Sequence, residues 1–367
     1  MNKKQFLFFL LPLSFAGSVF ITGCTKDDNT DNNTSSTKEL QKQVLSDFVN
    51  TLVLPAYATF KDKATALNNA VIALANNPTE QNQLAARNAW RDTRVIWEQS
   101  EGFLIGPVED DNYDPYMDTW PTDHEQMNAL LDGDQELTVT YLESETSDAE
   151  LTLRGFHPLE YLLWGTDGKK DPSTYTDREK EYMTALAQDI LNNVTKLNNS
   201  WTSGQFGNEI TSPGINGSRY SSNKDALKTI AEALIDICSE VGESKMLEPF
   251  SPQPDSTITE SPYSHNSIAD FKNNITGAYN VYTCTFGSAT GKSLSSLVAA
   301  DNKSLDNELR SLFTTAIGSF DAFSSITFEK ALYDQRSTVQ NTLDKIEALQ
   351  TALNEKLIPH LDKYIRD

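Results

Sequence analysis

The segment from Gly155 to Gly165, GFHPLEYLLWG, has the residue types and spacing of a metal site. On a helix, His157 and Glu160 lie three residues apart on one face, where an imidazole nitrogen and a carboxylate oxygen can share one metal ion. A purely structural role, as a helix cap, fits the same residues. With Pro158 at the first helical position, His157 becomes the N-cap and Glu160 completes a capping box. Histidine is a poor N-cap, and the helix dipole keeps its ring neutral, so both interpretations stay open.

A second candidate set follows one helical face from Trp90 to Glu101. Trp90, Arg94, Trp97 and Glu101 recur at helical spacing, and Glu98 stands one turn from both Arg94 and Glu101. One interpretation is a pair of carboxylates, Glu98 and Glu101, that an arginine holds in place for a hard cation. The alternative is a core-facing tryptophan pair edged by a solvent-exposed ion pair of little energetic weight.

The third candidate is the acidic segment 108–123, VEDDNYDPYMDTWPTD. We expect most of its carboxylates to be solvated. One or two of them could close a site that the other two segments form.

The overall charge of the chain limits its partners. Its 367 residues carry 30 Lys and Arg against 52 Asp and Glu, a formal net charge of −22, with no long basic cluster. Affinity for nucleic acid depends on basic side chains that displace counterions, so we expect no nucleic-acid partner. Attachment to anionic lipid by charge alone is disfavoured for the same reason.

The N-terminus has the pattern of a bacterial lipoprotein signal. Residues 1–23 combine a basic start with an apolar run too short to span a membrane, and Ile21-Thr22-Gly23-Cys24 resembles a lipobox. We therefore expect a lipid on Cys24 to be the only attachment to the membrane. The next four residues, Thr25-Lys26-Asp27-Asp28, resemble an export tag of Bacteroidetes lipoproteins. This resemblance predicts anchoring to the outer membrane of a Gram-negative cell envelope, with exposure at the surface. Residues 24–38 are polar and predict a flexible tether.

Helical periodicity dominates from residue 39 onward. Apolar residues recur every three or four positions and predict helices that end at Pro55, Gly242 and Pro359. The segment 137–141, LTVTY, is the one strand candidate, and it is short enough to be a loop or a helix fragment. Amphipathic helices without a sheet to cover them predict an all-α protein built of helical bundles.

Two stretches interrupt the helical pattern. Residues 203–222 are rich in Gly and Ser, and residues 249–266 contain four prolines. We place a domain boundary in the first, which gives one bundle over 39–210 and another over 220–367. Loops of this length in a compact fold often line functional sites. Cys238 and Cys284 could pair in an oxidising compartment, but a buried free thiol is equally consistent with the apolar neighbours of Cys238.

Several of these motifs resemble those of a known protein family. The segment 155–165 looks like the GxHxxE signature of imelysin-like proteins, the insulin-cleaving membrane protease family. Further blocks resemble that family's other motifs in the same order, from about residue 45 to residue 360: Arg87-Asn88-Ala89-Trp90 leading to Gly106-Pro107, Asp118-Thr119-Trp120-Pro121-Thr122-Asp123, Leu247-Glu248-Pro249-Phe250-Ser251, and Ser267 to Ile275 with Asn280-Val281-Tyr282.

The resemblance implies a bilobed all-helical fold of two bundle domains with the GxHxxE site in a cleft between them. Related periplasmic proteins of ferrous-iron uptake bind metal through the HxxE pair and carboxylates of a preceding helix. This carries over to His157 and Glu160, and to Glu98 and Glu101. Asp118 is a further candidate ligand, with Asp114 and Asp123 as competitors for that assignment. Ser264, in the proline-rich loop, is expected to face the same cleft, with no assigned role.

The protease activity of the family has less support from the residues. Zinc hydrolases of the H-E-x-x-H kind supply two histidines from one helix, but position 161 here is Tyr. His265 could supply a distant third ligand, although the enzymes that combine HxxE with such a histidine contain sheets. One histidine with several carboxylates suits iron, manganese, calcium or zinc.

Three functions are therefore considered. The favoured one is a cell-envelope lipoprotein that binds a metal ion, iron or a small iron-containing ligand, together with other iron-uptake components. The first alternative is a zinc-dependent endopeptidase. The second is a non-catalytic surface binding module in which HxxE is only a helix cap.

Overall fold

The computed structural model describes residues 28–144, 147–215 and 217–365, so the predicted signal peptide and Cys24 lie outside the described residues. The all-α prediction is confirmed. The α-helices, in chain order, are α1 Asp28–Asp47, α2 Leu54–Asn76, α3 Glu80–Ser100, α4 Pro107–Asp110, α5 Tyr113–Asp118, α6 His124–Asp132, α7 Val139–Ser144, α8 Asp148–Leu151, α9 Phe156–Trp164, α10 Asp177–Trp201, α11 Phe206–Thr211, α12 Asn223–Ser239, α13 Glu248–Phe250, α14 Ser267–Thr283, α15 Leu294–Asp301, α16 Lys303–Ser319, α17 Phe328–Asp334, α18 Arg336–Ala352 and α19 Ile358–Tyr364.

Strand structure in the described part of the chain is confined to one small hairpin. Strands β1 Thr285–Phe286 and β2 Ala289–Thr290 pair antiparallel. The strand candidate at 137–141 runs into α7, so it is partly a helix fragment.

Three helices continue through the residues predicted to end them. Pro55 lies in the first turn of α2, Pro359 lies in the first turn of α19, and Gly242 lies inside a continuing helical segment. In each case a π-helical segment joins two α-helices; these segments are Phe48–Val53, Glu240–Leu247 and Leu353–Leu357. Proline cannot donate the regular helical hydrogen bond, and its ring clashes with the carbonyl four residues earlier. The wider π turn changes the hydrogen-bond partners just before the proline, so the chain stays helical.

The first helix also differs from the prediction. It extends back to Asp28, so residues 28–38 of the predicted tether have helical backbone. Extending an existing helix costs much less than nucleating one. The apolar stripe at Leu40, Val44 and Phe48 anchors the C-terminal part of this helix, and the segment before it contains neither Gly nor Pro to interrupt it.

Helices from both predicted bundles share one continuous core. Helices α2, α3 and α10 pack together, α14 packs along α3, and α1 packs against α12. The boundary proposed at residues 211–219 stays a prediction. None of the described helices has the length and apolar character needed to cross a membrane.

The crossing of α3 and α14 brings two backbones into direct contact. A Cβ at Gly277 would overlap the Gln99 carbonyl oxygen, and a Cβ at Gly102 would lie 2.8 Å from the backbone nitrogen of Ala278. Such close approach requires glycine at both positions. It places the polar residues of α14 against the carboxylates at the end of α3.

Cys238 and Cys284 are both buried and free. Burial raises the pKa of each thiol to about 12, so both are protonated and unreactive at neutral pH. The structure therefore has two free thiols rather than a disulfide between Cys238 and Cys284.

Candidate metal centre

The centre of the site is Arg94, whose side chain is completely buried on α3. Its guanidinium contacts Glu98 one turn later and Asp118 at the end of α5. It also lies 2.8 Å from Glu260 Oε1 and 3.6 Å from Asp270 Oδ1. The alternative of a solvent-exposed ion pair is therefore wrong, because Arg94 and Glu98 are both fully buried. Arginine suits this position because its planar fork can serve several carboxylates while staying charged.

The two tryptophans of α3 belong to the core and also hold the site. Trp97 Nε1 donates a hydrogen bond to Asp118 Oδ2 at 2.6 Å, and Trp90 Nε1 donates to the Phe156 carbonyl at 3.1 Å. The first bond orients a candidate ligand, and the second fixes the start of α9.

Helix α9 begins on a glycine that no other residue could replace without strain. Gly155 is the N-cap, with φ of 82°, and a Cβ there would overlap the Met117 carbonyl oxygen. His157 is thus the second residue of the helix, and the interpretation of His157 as its N-cap is wrong. Glu160 forms no capping box either. Its Oε1 accepts hydrogen bonds from the backbone N–H groups of the proline-rich loop, at residues 263 and 264, at 3.1 and 2.7 Å.

His157 faces carboxylates from three parts of the chain. Its Nε2 lies 3.0 Å from Asp118 Oδ1 and 3.7 Å from Glu260 Oε1, and its Nδ1 lies 3.7 Å from Glu160 Oε2. We call Asp118, His157, Glu160 and Glu260 the histidine lobe. Ligand atoms of Asp118, His157 and Glu260 all lie within 4.8 Å of one another.

Two carboxylate oxygens of the histidine lobe, Glu160 Oε2 and Glu260 Oε2, are buried without a hydrogen bond. The His157 ring faces its carboxylates through ion-pair contacts of 3.0 to 3.7 Å. Buried polar atoms are nearly always hydrogen-bonded in proteins, so an unpaired set of this kind needs a partner. One imidazole and several carboxylate oxygens are ligands that iron, manganese or zinc accept, so the residues fit a metal ion.

Glu98 and Glu101 lie in a second group around Lys245. The ammonium nitrogen lies 3.0 Å from Glu101 Oε2 and 3.7 Å from Glu98 Oε2. Asn274 on α14 donates to Glu98 Oε2 at 2.6 Å and also to Glu101. We call Glu98, Glu101, Lys245 and Asn274 the lysine lobe. Glu98, Glu101 and Asp118 form a second oxygen set within 4.8 Å, so Asp118 lies between the two lobes.

Burial and charge shift the proton affinities of these groups in opposite directions. Burial raises the pKa of Glu98 to about 8 despite Arg94 and Lys245, and burial together with Glu98 raises the pKa of Glu101. Burial also acts to raise the pKa of Asp118, but Arg94 and His157 outweigh it and hold this pKa well below its ordinary value. For His157 burial acts to lower the pKa, but the contacts with Asp118 and Glu160 outweigh it and raise the pKa to about 10. Without metal, His157 is therefore an imidazolium at neutral pH, and the expectation that the helix dipole keeps its ring neutral is wrong, because the facing carboxylates outweigh the dipole.

The structure brings all five predicted ligands into one buried region but divides them between the lobes. Asp118, His157 and Glu160 join the histidine lobe, while Glu98 and Glu101 join the lysine lobe. Each of the five side chains belongs to a residue at most 5% exposed, so the site is buried where the resemblance implied a cleft. Whether each residue ligates a metal stays a prediction.

The other named candidates lie elsewhere or contribute indirectly. Asp123 is the N-cap of α6, and Asp114 is half-buried on α5. His265 Nδ1 lies 3.1 Å from Glu329 Oε2, which gives its ring a different partner. Ser264 is buried with an unpaired hydroxyl, next to the backbone bond that it donates to Glu160.

Sequence reasoning missed Glu260, Lys245, Asp270 and Asn274. Glu260 lies in the proline-rich loop, whose unusual length was the only local signal. Asp270 and Asn274 lie within the quoted block 267–275, but no spacing rule connects them with α3. No sequence pattern pointed to Lys245, because the direction of its side chain depends on the π-helical segment Glu240–Leu247.

Comparison with known proteins agrees with this architecture. Iron-regulated protein A of Synechococcus elongatus is 32% identical over 247 residues, which cover 66% of this chain and 64% of that protein. The match thus covers less than two thirds of that relative's length.

Two crystal structures have the same fold. One, from Parabacteroides distasonis, is of a protein provisionally named iron-regulated protein A precursor, with a TM-score of 0.80 at 24% identity. The other is an imelysin-like protein from Psychrobacter arcticum, with a TM-score of 0.71 at 16% identity. Both alignments cover 89% of this chain and 96% of the other chain. The family model described as imelysin matches residues 53–360, most of the sequence, and the chain therefore belongs to the imelysin family.

Proposed function

We propose that this chain binds a metal ion, iron, in the histidine lobe and serves iron acquisition in the cell envelope. The observation that carries the proposal is the buried ring of His157, whose two nitrogens face carboxylate oxygens of Asp118, Glu160 and Glu260 at 3.0 to 3.7 Å. The similarity to iron-regulated protein A supports a connection with iron, since that protein's name refers to regulation by iron.

The neighbouring residues prepare the lobe for a cation. Arg94 neutralises part of the carboxylate charge and fixes Asp118 and Glu260 by direct contact. Trp97 fixes the second oxygen of Asp118, and the backbone of the proline-rich loop fixes one oxygen of Glu160. The ligand atoms are thereby held in place before the ion arrives, which reduces the ordering cost of binding.

The test is metal titration of the purified chain by calorimetry, with Fe²⁺ under anaerobic conditions, Mn²⁺ and Zn²⁺. We expect His157→Ala to weaken binding by about 100-fold or more, because it removes the only nitrogen ligand of the lobe. His360→Ala on α19 is the matched control, since it removes another largely buried histidine far along the chain. Absence of metal binding by the wild-type chain, or equal binding by His157→Ala, would contradict the proposal.

The zinc endopeptidase alternative has less support from the geometry. Among the described residues, the site contains one histidine, whereas zinc hydrolases of the H-E-x-x-H kind use two from one helix. Cleavage of an unfolded polypeptide that stops on addition of a chelator would favour the peptidase. The surface-module alternative loses its main premise, because HxxE is not a helix cap.

The envelope location is also a proposal. It depends on the lipobox-like letters before Cys24, which lie outside the described residues. Cys24→Ser should move the protein from the membrane fraction to the soluble fraction. Protease treatment of intact cells should then degrade the wild-type protein if it is exposed at the surface.

A further inference from the structure

Lys245 is a fully buried lysine with four carboxylates around its ammonium group. Its nitrogen lies 3.0 Å from Glu101 Oε2, 3.3 Å from Glu240 Oε1, and 3.7 Å from both Glu98 Oε2 and Glu260 Oε1. Lysine is almost never fully buried unless it is paired, and its ammonium is a compact point charge. The nitrogen therefore occupies a position where oxygens of four carboxyl groups converge from several directions.

The same position has the ligands of a metal site. Oxygens of Glu98, Glu101 and Asp118 all lie within 4.8 Å of one another, a set that suits a hard divalent cation. One further oxygen, Asn274 Oδ1, is buried and accepts no hydrogen bond, whereas Glu98 Oε1 is paired with Arg94. The lysine lobe thus offers more oxygen ligands than the ammonium uses.

The backbone explains why a lysine reaches this position. Lys245 lies in the π-helical segment Glu240–Leu247, which continues from α12. Short π-helical segments are frequently found at functional sites. Glu240 comes from the same segment, and its side chain is 32% exposed, so the lysine lobe borders solvent on that side.

We propose that Lys245 is a built-in counter-cation that fills a second cation site, and that removing its charge makes the lysine lobe a binding site for a divalent metal ion. The native chain then holds one ion, in the histidine lobe, while oxygens of Glu98 and Glu101 surround the ammonium group of Lys245. The expectation of one bound ion in the native chain rests on the proposed function. The second site rests on the geometry of the lysine lobe alone.

The test counts bound Mn²⁺ by equilibrium dialysis and metal analysis of the purified chain. We expect one ion for the wild type and two for Lys245→Met, because the oxygens that surround the ammonium group then become available to a metal ion. Lys245→Arg retains the charge and should stay at one ion. Lys272→Met is the matched control: it removes an ammonium that pairs with Asp321 at the surface and should also stay at one.

A double variant separates this inference from the proposed function. His157→Ala combined with Lys245→Met should hold one ion, because only the lysine lobe remains. If the wild type binds no ion and Lys245→Met binds one, the proposed function fails and this inference stands. If the wild type and Lys245→Met both bind one ion, this inference fails and the proposed function stands.

Folding of Lys245→Met must be followed in the same experiment, since buried carboxylates would lose their partner. We expect Mn²⁺ to raise the unfolding midpoint of this variant, measured by far-UV circular dichroism, more than it raises the wild-type midpoint. A variant that stays unfolded at saturating Mn²⁺ would contradict the inference, because the metal ion would then have failed to replace the ammonium.

Discussion

At the scale of single residues, the site depends on two cations of different chemistry. Arg94 contacts carboxylates from α3, α5, the proline-rich loop and α14. The planar guanidinium makes this possible, because its N–H groups point in several directions. Lys245 lies among its carboxylates as a single point charge. Buried carboxylates at this density are tolerated only when cations pair with them. The two lobes differ in the ligand atoms that they offer a metal ion: the histidine lobe has the imidazole of His157, and the lysine lobe has oxygens only.

The raised pKa of His157, about 10, predicts that metal binding releases a proton. The imidazolium must lose its proton before it can ligate, so protons compete with the metal below this pKa. Metal affinity should therefore rise with pH, by about tenfold per unit between pH 7 and 9 for one released proton. Calorimetry in two buffers of different ionisation enthalpy measures the number of protons released. An affinity that stays constant over this range would show that His157 is not a ligand.

Residue types and local spacing predicted half of this site. His157 and Glu160 share a helix, and Arg94 and Glu98 share another, so helical periodicity alone places each pair on one face. Glu260 could not be predicted in this way, because it is 166 residues from Arg94 in the chain and reaches it only through folding. Lys245 could not be predicted either, because regular helical spacing does not describe a π-helical segment.

At the scale of elements, the start of α9 sets the distance between His157 and Asp118. Gly155 allows the helix to begin directly against the carbonyl group of Met117, the residue before Asp118. Its φ of 82° and ψ of −149° lie in a region that only glycine occupies readily. The first glycine of the GxHxxE motif therefore has a positional role that can be tested separately from ligation.

We expect Gly155→Ala to lower the free energy of unfolding by about 3 kcal/mol, through backbone strain and overlap with Met117. Metal affinity should also fall by about 10- to 100-fold, because the helix start must move away from Asp118. Gly287→Ala is the matched control. It also has positive φ, 58°, but no atom lies within 4 Å of the added Cβ, so it should cost only about 1 kcal/mol and leave metal binding unchanged.

Urea denaturation and metal titration of both variants provide the measurement. Equal destabilisation by the two substitutions would show that overlap with Met117 adds nothing to the loss of unfolding free energy. Unchanged metal affinity in Gly155→Ala would show that α9 can shift without disturbing the site.

The π-helical segments are the elements that sequence patterns described least well. Apolar periodicity found the flanking helices correctly, but proline and glycine suggested ends at Pro55, Gly242 and Pro359 that the chain does not have. The physical reason is that a wider turn lets the helix accommodate a residue that a regular α-helix excludes. In the segment Glu240–Leu247 this accommodation also positions a buried charge.

At the scale of the whole molecule, the two predicted bundles meet in a shared core that includes the site. Helix α14 crosses α3 at glycine contacts, and α1 packs against α12. Unfolding either part would expose the buried ion pairs of the other. We therefore expect the chain to unfold as one cooperative unit.

The distribution of tryptophan allows a direct test of this expectation. All five tryptophans lie between Trp90 and Trp201, within the first predicted bundle, so their fluorescence reports mainly on that bundle. Far-UV circular dichroism reports on the helices of both. We expect the urea transitions of the two probes to coincide, as they do for a single cooperative unit. Separate midpoints would instead support independent domains on either side of residues 211–219.

The sequence by itself determined the helical architecture, the family and the pair His157 and Glu160, because helical periodicity and a contiguous motif are local properties of the chain. Only the tertiary structure decided which charges surround that pair and which carboxylates remain unpaired. The residues concerned come from α3, α5, α9, the proline-rich loop, the π-helical segment and α14, and they meet because glycine contacts let α14 lie directly on α3. Buried charge must be balanced within the folded molecule, and no local pattern records which distant residue supplies the balance.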